Sequence, residues 1–374
     1  MKIVLAIGLY PPEIGGPATY AAMLEAELPS RDIQVVTAPL GWVRQYPKVI
    51  RHAAYAWKLW RMSRSADIIY ALDSVGVGVP ATVVAKLTRK PLVVRLSGDY
   101  AWEQGRMRFG VRQTLDVYTK NRAVAPRRVR LLAWLQTHVL QQAVNVVVPS
   151  KYLQSIVTQW GIAPEKIKVV YSALYPLTVN STRDVLRKQL NYPYPTLVTA
   201  ARLVPWKGQQ ALIKVLKNVQ KRYPDISLVI IGEGEQRRAL ESQVAKSGLS
   251  EHVRFTGRIS KDALGAAIRA ADVFVLNTAY EGLSHQLIEV MDLGVPIVTT
   301  KSGGNPELIT NGVNGYLIDF NDTAQLEEAI TRVLSHPESR ERMTQSARLR
   351  SKDFQKEHVV EEMVKILRHV PLKK

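Results

Sequence analysis

Short apolar runs recur along the whole chain, and most are followed by a longer stretch with helical spacing of its apolar residues. KIVLAIG, IQVVTA, DIIYAL, PLVVRL and VNVVVPS are strand candidates in the first half; TLVTAA, SLVIIG, HVRFTG, DVFVLN and PIVTT are candidates in the second. Runs rich in β-branched residues, without polar alternation, fit strands buried on both faces. Strands of that kind separated by helices build βαβ units and parallel sheets. The alternation breaks once, in VVYSALYPLTVNSTRDV, and residues 172–181 are read as a linker between two domains, 1–173 and 182–354. The last helical pattern, about 354–369, carries Val359, Met363, Ile366 and Leu367 on one side. In open α/β sheets ligands bind beyond the carboxyl ends of the strands, so the chemistry is sought in the strand-to-helix loops of two domains facing a crevice.

Length agrees with two domains: 374 residues exceed one ordinary core. At 46% hydrophobic and 22% charged the chain is globular. It has no cysteine, which excludes a disulfide framework and thiolate metal sites and fits a reducing, cytoplasmic setting. The opening MKIVLAIGLYPPE reads as a first strand rather than a signal peptide, and no stretch approaches the roughly 18 consecutive apolar residues of a membrane span.

Charge changes the picture more. The formal net charge is +19, from 51 basic and 32 acidic residues. Residues 1–170 hold 23 Lys and Arg against 10 Asp and Glu, a surplus of 13; the rest hold 28 against 22, a surplus of 6. A basic first half points to an anionic partner: phospholipid, nucleic acid or a phosphorylated substrate.

Several loops can carry chemistry. Gly15-Gly16 follows the first strand and opens a helix near Pro17, whose free N–H groups form an anion site, although a glycine pair also makes a plain tight turn. Arg202 and Lys207 flank the turn after TLVTAA, where two cations fit a diphosphate or simply face solvent. IGEGEQ at 231–236 lacks the spacing of a dinucleotide fingerprint. YEGLSHQLIEVMDLGVP places Glu281 in the loop after a strand and Glu289 just over one turn into the next helix, which starts near Ser284 or His285. Two buried carboxylates there accept hydrogen bonds from vicinal hydroxyls, while the N–H groups near 283–285 meet an anion. The plainer alternative is a helix-dipole charge at Glu281 and a solvated Glu289.

These loops form a series: GG at 15–16, R-x4-K-G at 202–208, G-x-G at 232–234, F-T-G-R at 255–258, A-D-V-F-V-L-N at 271–277, E-G-x6-E at 281–289, G-V-P-I-V at 294–298, G-G-x-P-E at 303–307 and N-G-x-N-G at 311–315. The series resembles the retaining glycosyltransferases of family 4, with order and spacing matching most strongly over about 197–320. The resemblance implies the GT-B fold, two Rossmann-like doubly wound domains, with a closing helix at 355–374 that crosses back to an acceptor-binding first domain. It implies a donor diphosphate held by Arg202 and Lys207, sugar hydroxyls near Glu281, Gly282, Leu283 and Ser284, ribose at Glu289, nucleobase near Arg258 and Ile259, and phosphate at the helix behind Gly16. It implies no cofactor and no metal: a nucleoside-diphosphate sugar is the substrate, and a hydroxyl acceptor on a lipid-linked or cell-envelope glycan receives the sugar.

Two departures stand out. The family's E-G-F-G reads E-G-L-S here, and the histidine expected after the fourth strand is absent from VVRLSGDYAWEQ. Asp99 either takes that place, facing the reacting sugar or the acceptor, or is a turn residue. A sugar-nucleotide epimerase or hydrolase is the rival enzyme; a nucleic-acid-binding protein answers to the charge but leaves the loop motifs unexplained. Residues 46–64 read as an amphipathic helix with Lys48, Arg51, Lys58 and Arg61 beside Ile50, Ala53, Trp57 and Trp60. Such a helix either docks peripherally on an anionic membrane surface, at the inner face of the cytoplasmic membrane, or buries its tryptophans against the sheet.

Overall fold

The computed structural model describes residues 1–372 apart from 12 and 14, with the side chains of 48 and 49 left out. The chain forms two units, Met1–Ala173 with Lys356–Lys374, and Leu174–Gln355.

The first unit is built on six strands: β1 (Lys2–Ile7), β2 (Gln34–Pro39), β3 (Ile68–Ala71), β4 (Leu92–Arg95), β5 (Asn145–Val148) and β6 (Ile167–Val169). Their order is β2-β1-β3-β4-β5-β6, and every neighbouring pair is parallel. The strands are near-continuous apolar runs because helices cover both faces; Ile3, Val4, Leu5, Ile69, Val93 and Val146 are all fully buried. The closing helix, Lys356–Arg368, belongs to this unit. It buries Val359, Met363 and Leu367, and is tied down by Lys356 Nζ on Glu27 Oε1 at 2.5 Å and by Tyr70 Oη on Met363 Sδ at 3.5 Å.

The second unit repeats the plan with β7 (Thr196–Ala200), β8 (Ser227–Ile231), β9 (Val253–Gly257), β10 (Val273–Leu276), β11 (Ile297–Thr300) and β12 (Tyr316–Ile318). The order is β12-β11-β10-β7-β8-β9, again all parallel. Its core includes Leu197, Leu228, Ile230, Val273, Val275 and Val298, covered by Leu212, Leu216 and Ile330 from flanking helices. The chain runs β7 to β9 in one direction, then returns to place β10 on the free side of β7. That reversal sets the loops after β7 and β10 side by side at the carboxyl end of the sheet, where such sheets bind ligands.

All ten strands read from the sequence are present. The two outer strands β6 and β12 escaped that reading.

Candidate functional site

The reversal between β7 and β10 brings two sequence-distant loops together. After β7 the chain makes a 3-10 turn, Pro205–Lys207, and Gly208 follows in the left-handed region at φ 56°. A Cβ there would lie 2.4 Å from Asn277 Nδ2, so only glycine fits. Asn277 Nδ2 donates to the Gly208 carbonyl at 2.9 Å, and the Trp206 carbonyl accepts from the Ala279 N–H at 2.8 Å and Thr278 Oγ1 at 3.3 Å. With both backbones fixed, Lys207 Nζ donates to Glu281 Oε1. The side chains are only 13% and 18% exposed, so the pair is partly desolvated and its geometry held.

Glu281 is seated from the other side as well. Gly304 N–H donates to the Glu281 carbonyl at 2.9 Å, and Gly303, at φ 62°, passes so close that a Cβ would lie 1.9 Å from that oxygen. The G-G-x-P-E motif therefore supports the E-G motif. In the same way the G-x-G loop supports the segment around Arg202: Leu203 N–H donates to the Glu233 carbonyl and Gln236 N–H to the Leu203 carbonyl, both at 3.0 Å. Arg202 itself is exposed, its guanidinium 5.9 Å from the Trp206 ring centroid, and it forms no ion pair among the described residues.

The helix after this loop is His285–Leu293, with Ser284 as its N-cap, Oγ accepting from the Leu287 N–H at 3.3 Å. Gly282, Leu283 and Ser284 are buried, so the leucine side chain belongs to the packing, and what this stretch offers a ligand is its backbone and the serine hydroxyl. Glu289 lies one turn in. Burial pushes its carboxyl up to about 7, only partly offset by Lys261, and among the described residues its oxygens accept no hydrogen bond. A carboxyl in that condition holds its proton readily at neutral pH and gains from hydroxyl donors when ionised. Arg258 is exposed and Ile259 half-buried, just beyond β9 at the sheet's edge, two strands from β7.

Arg202, Lys207, Glu281, the 282–284 loop and Glu289 thus share the carboxyl end of one sheet: two cations, two carboxylates and a helix N-terminus, equipped to take an anionic group beside a polyol. Among the described residues no cluster of three or more histidine and carboxylate side chains could hold a metal.

The remaining two sequence candidates belong to the other unit. Gly16 is the first residue of the helix Gly16–Glu27, behind an extended Gly15 that supplies no side-chain cap. Asp99 is fully buried. It caps the helix Tyr100–Arg108, Oδ1 accepting from the Trp102 N–H at 3.0 Å and Gln136 Nε2 at 3.2 Å, and burial raises its carboxyl despite Arg122 nearby. The sugar-facing reading of Asp99 is corrected accordingly: a wholly enclosed capping carboxylate presents no surface to a sugar, and the turn reading is the one the fold uses. A loop aspartate just ahead of a helix is the usual N-cap signal. Asn277 was passed over in the sequence, yet it clamps Gly208 and accepts from the Asn321 N–H at 3.1 Å; its signal was a polar residue closing a buried apolar strand.

The helix Lys48–Ser63 packs through Tyr55 and Leu59, while Ile50, Trp57 and Trp60 are 56%, 55% and 36% exposed. Arg61 lies 5.0 Å from the Trp57 ring, Arg64 5.4 Å from Trp60 and Lys58 5.4 Å from Trp42, itself exposed. The alternative with buried tryptophans is overturned. The Lys48 side chain lies outside the described residues.

Residues 182–350 match the family described as glycosyl transferases group 1, and residues 15–173 match a glycosyl transferase 4-like domain. A stretch of 150 residues is 35% identical to a GDP-mannose-dependent alpha-(1-6)-phosphatidylinositol monomannoside mannosyltransferase of Mycolicibacterium smegmatis, covering 38% of this chain and 39% of that protein. Another, of 227 residues, is 30% identical to spore coat protein SA of Bacillus subtilis, covering 56% and 60%. The chain thus spans less than two thirds of the length of either relative. Among solved structures, Anabaena Alr3699/HepE in complex with UDP superposes with a TM-score of 0.79 at 21% identity, over 99% of this chain and all of that one. Sucrose-phosphate synthase from Thermosynechococcus elongatus gives 0.78 at 18%, over 99% of each.

Proposed function

The chain belongs to the group 1 glycosyltransferases of the family 4 type and has their two-domain GT-B fold, and on that premise we propose that it moves a sugar from a nucleoside-diphosphate sugar to a hydroxyl acceptor with retention of configuration. The observation that carries this reading is the Lys207–Glu281 pair, held at the carboxyl ends of the neighbouring strands β7 and β10, with Arg202 exposed in the loop after β7. Lys207, Arg202 and the helix N-terminus at 283–285 take the diphosphate, Glu281 the sugar hydroxyls, and Glu289 the ribose diol. Arg258 and Ile259 border the base.

In the step proposed, the bond from the anomeric carbon to the leaving phosphate oxygen breaks and its electron pair stays on that oxygen. The acceptor oxygen bonds to the anomeric carbon on the same face, and its proton passes to the leaving phosphate. The cations lie where charge develops, so they stabilise the transition state more than the ground state and take the part a metal plays in other transferases. The acceptor we infer is a lipid-linked or envelope glycan, reached from an anionic membrane surface. Trp42, Trp57 and Trp60, exposed and flanked by Lys58, Arg61 and Arg64, favour docking at a headgroup boundary. No described helix is long and apolar enough to cross a membrane.

The test is product analysis by NMR with the sugar nucleotide in the presence and absence of acceptor. A glycoside of the donor's own anomeric configuration, formed only with acceptor, supports transfer. Free sugar or an epimerised nucleotide as the sole product turns the assignment to a hydrolase or an epimerase. GDP-mannose, named for the mycolicibacterial relative, and UDP-glucose are the first donors to compare.

A further inference from the structure

At the opposite end of the second sheet, Asp272 and Pro296 precede β10 and β11 and line a pocket of about 230 Å³. Four arginines surround it: Arg183 opens the helix Arg183–Leu190, Arg269 lies in the last turn of Lys261–Ala270, and Arg340 and Arg348 stand on Pro337–Ser351. We propose that this pocket is a binding site for a tetrahedral oxyanion, the phosphate group of inorganic phosphate or of a phosphomonoester. It is separate from the donor loops and does not depend on the function proposed for them.

Charge carries the argument. Asp272 is already committed, Oδ1 to Arg183 and Oδ2 to Arg187 at 2.7 Å and to the Thr196 N–H at 2.7 Å. Glu341 is the other carboxylate at the pocket. Asp292 also lies within electrostatic reach of Arg348, so five arginines, counting Arg187 bound to Asp272, face three carboxylates, a surplus of two positive charges. Arg269 and Arg348 do cap a helix: both donate to the Leu293 carbonyl, at 2.7 and 3.1 Å. One carbonyl at a helix C-terminus offers partial negative charge, equivalent to about half an electron, and that leaves most of the surplus uncompensated. Burial first, then the nearness of Arg348 and Arg183, lowers the Arg269 pKa, and Glu341 offsets this only in part.

Among the described residues two donors lack partners. Arg183 Nε and Arg340 Nη1 are buried with no hydrogen bond. Guanidinium groups lining a walled, cationic pocket are matched by an oxyanion that accepts from several directions. Guanidinium forks arriving from three helices match a tetrahedral, doubly charged group better than a planar carboxylate. At about 230 Å³ the pocket has room for a phosphate with some hydration. The Leu293 carbonyl ends the helix that carries Glu289, so a bound anion braces that helix from its far end.

Isothermal titration of the whole chain with sodium phosphate, and in parallel with a hexose 6-phosphate, tests this at constant ionic strength set with chloride. Because the donor loops also attract phosphate, Lys207→Ala and Arg340→Gln are titrated alongside. Binding that persists in Lys207→Ala and weakens at least tenfold in Arg340→Gln supports the site, and the tighter probe names the source. Should Arg340→Gln not fold, Arg340→Lys keeps the charge without the fork and is expected to weaken binding several-fold. Absence of binding by both probes in the unmodified chain overturns the proposal. So does binding that Lys207→Ala abolishes and Arg340 substitution leaves unchanged.

Discussion

Lys207 Nζ rests on the Glu281 carboxylate across 74 residues of sequence, because β7 and β10 are neighbours and each ends in one of the two loops. The proposed donor chemistry gives the two side chains different tasks, phosphate for one and sugar hydroxyls for the other, yet each also positions its partner. Lys207→Ala and Glu281→Gln are each expected to lower transfer by about 10²–10³-fold with the fold intact, the loss for one preorganised group at a developing charge. The double variant should lose little more than either single one, since groups acting as a unit are non-additive. Rates and urea midpoints on the three proteins check this; strictly multiplicative losses would show the pair to be incidental.

Gly303 offers a test of the loop support. At φ 62°, with a Cβ only 1.9 Å from the Glu281 carbonyl oxygen, Gly303→Ala must displace the Glu281 loop. The strain is expected to cost about 1–3 kcal/mol, read from chemical denaturation. Transfer should fall more than stability alone explains, because Glu281 moves. Unchanged activity in a destabilised variant would mean that the loop's position does not matter.

Glu289 sets a pH dependence. Burial holds its folded carboxyl near 7, above the 4.5 of a free side chain, so the folded state binds the extra proton between those values. Stability from this group is therefore fully present below about 4.5 and is lost as pH rises toward and through 7, a difference on the order of 3 kcal/mol. Glu289→Gln should flatten that part of the stability profile. If the ionised carboxylate accepts hydroxyls of the donor, donor binding releases a proton near pH 6.5 and tightens from pH 6 to 8 in the parent but not in the variant. Calorimetry in two buffers of different ionisation heat measures the proton; its absence would remove Glu289 from the ribose contact.

Membrane docking is checked by sedimentation with liposomes at low salt. Each near-surface Lys or Arg contributes about 1 kcal/mol of attraction to anionic lipid. Glutamine at Lys48, Arg51, Lys58 and Arg61 together should abolish binding to anionic vesicles, and serine at Trp57 and Trp60 should weaken it. Equal recovery on neutral and anionic vesicles would leave the tryptophans exposed for another reason.

The sequence made the parallel sheets legible because strands buried on both faces are apolar at almost every position, as in Val273–Leu276, and in Thr196–Ala200 apart from its threonines. It missed β6 and β12, three residues each and only partly buried, whose apolar runs are too short to stand out. The start of the Glu289 helix was readable from Ser284, a good cap ahead of a periodic run. The contact of Lys207 with Glu281 was not, since a pairing between strands seven and ten leaves no local trace. Asp99 was misjudged for a related reason: the residues that enclose it, Gln136 and Arg122, come from a later helix and turn.

The central claim is that the second domain binds a nucleoside-diphosphate sugar through cationic side chains in place of a metal. Thermal unfolding with UDP-, GDP- and ADP-sugars, in EDTA, on the unmodified chain and on Lys207→Ala, tests it most directly. One nucleotide class should raise the melting temperature, by an amount equivalent to about 2.7 kcal/mol at a hundred times its Kd, and the rise should vanish in Lys207→Ala. No rise with any sugar nucleotide, a rise that requires a divalent metal, or a rise undiminished in Lys207→Ala would contradict the account.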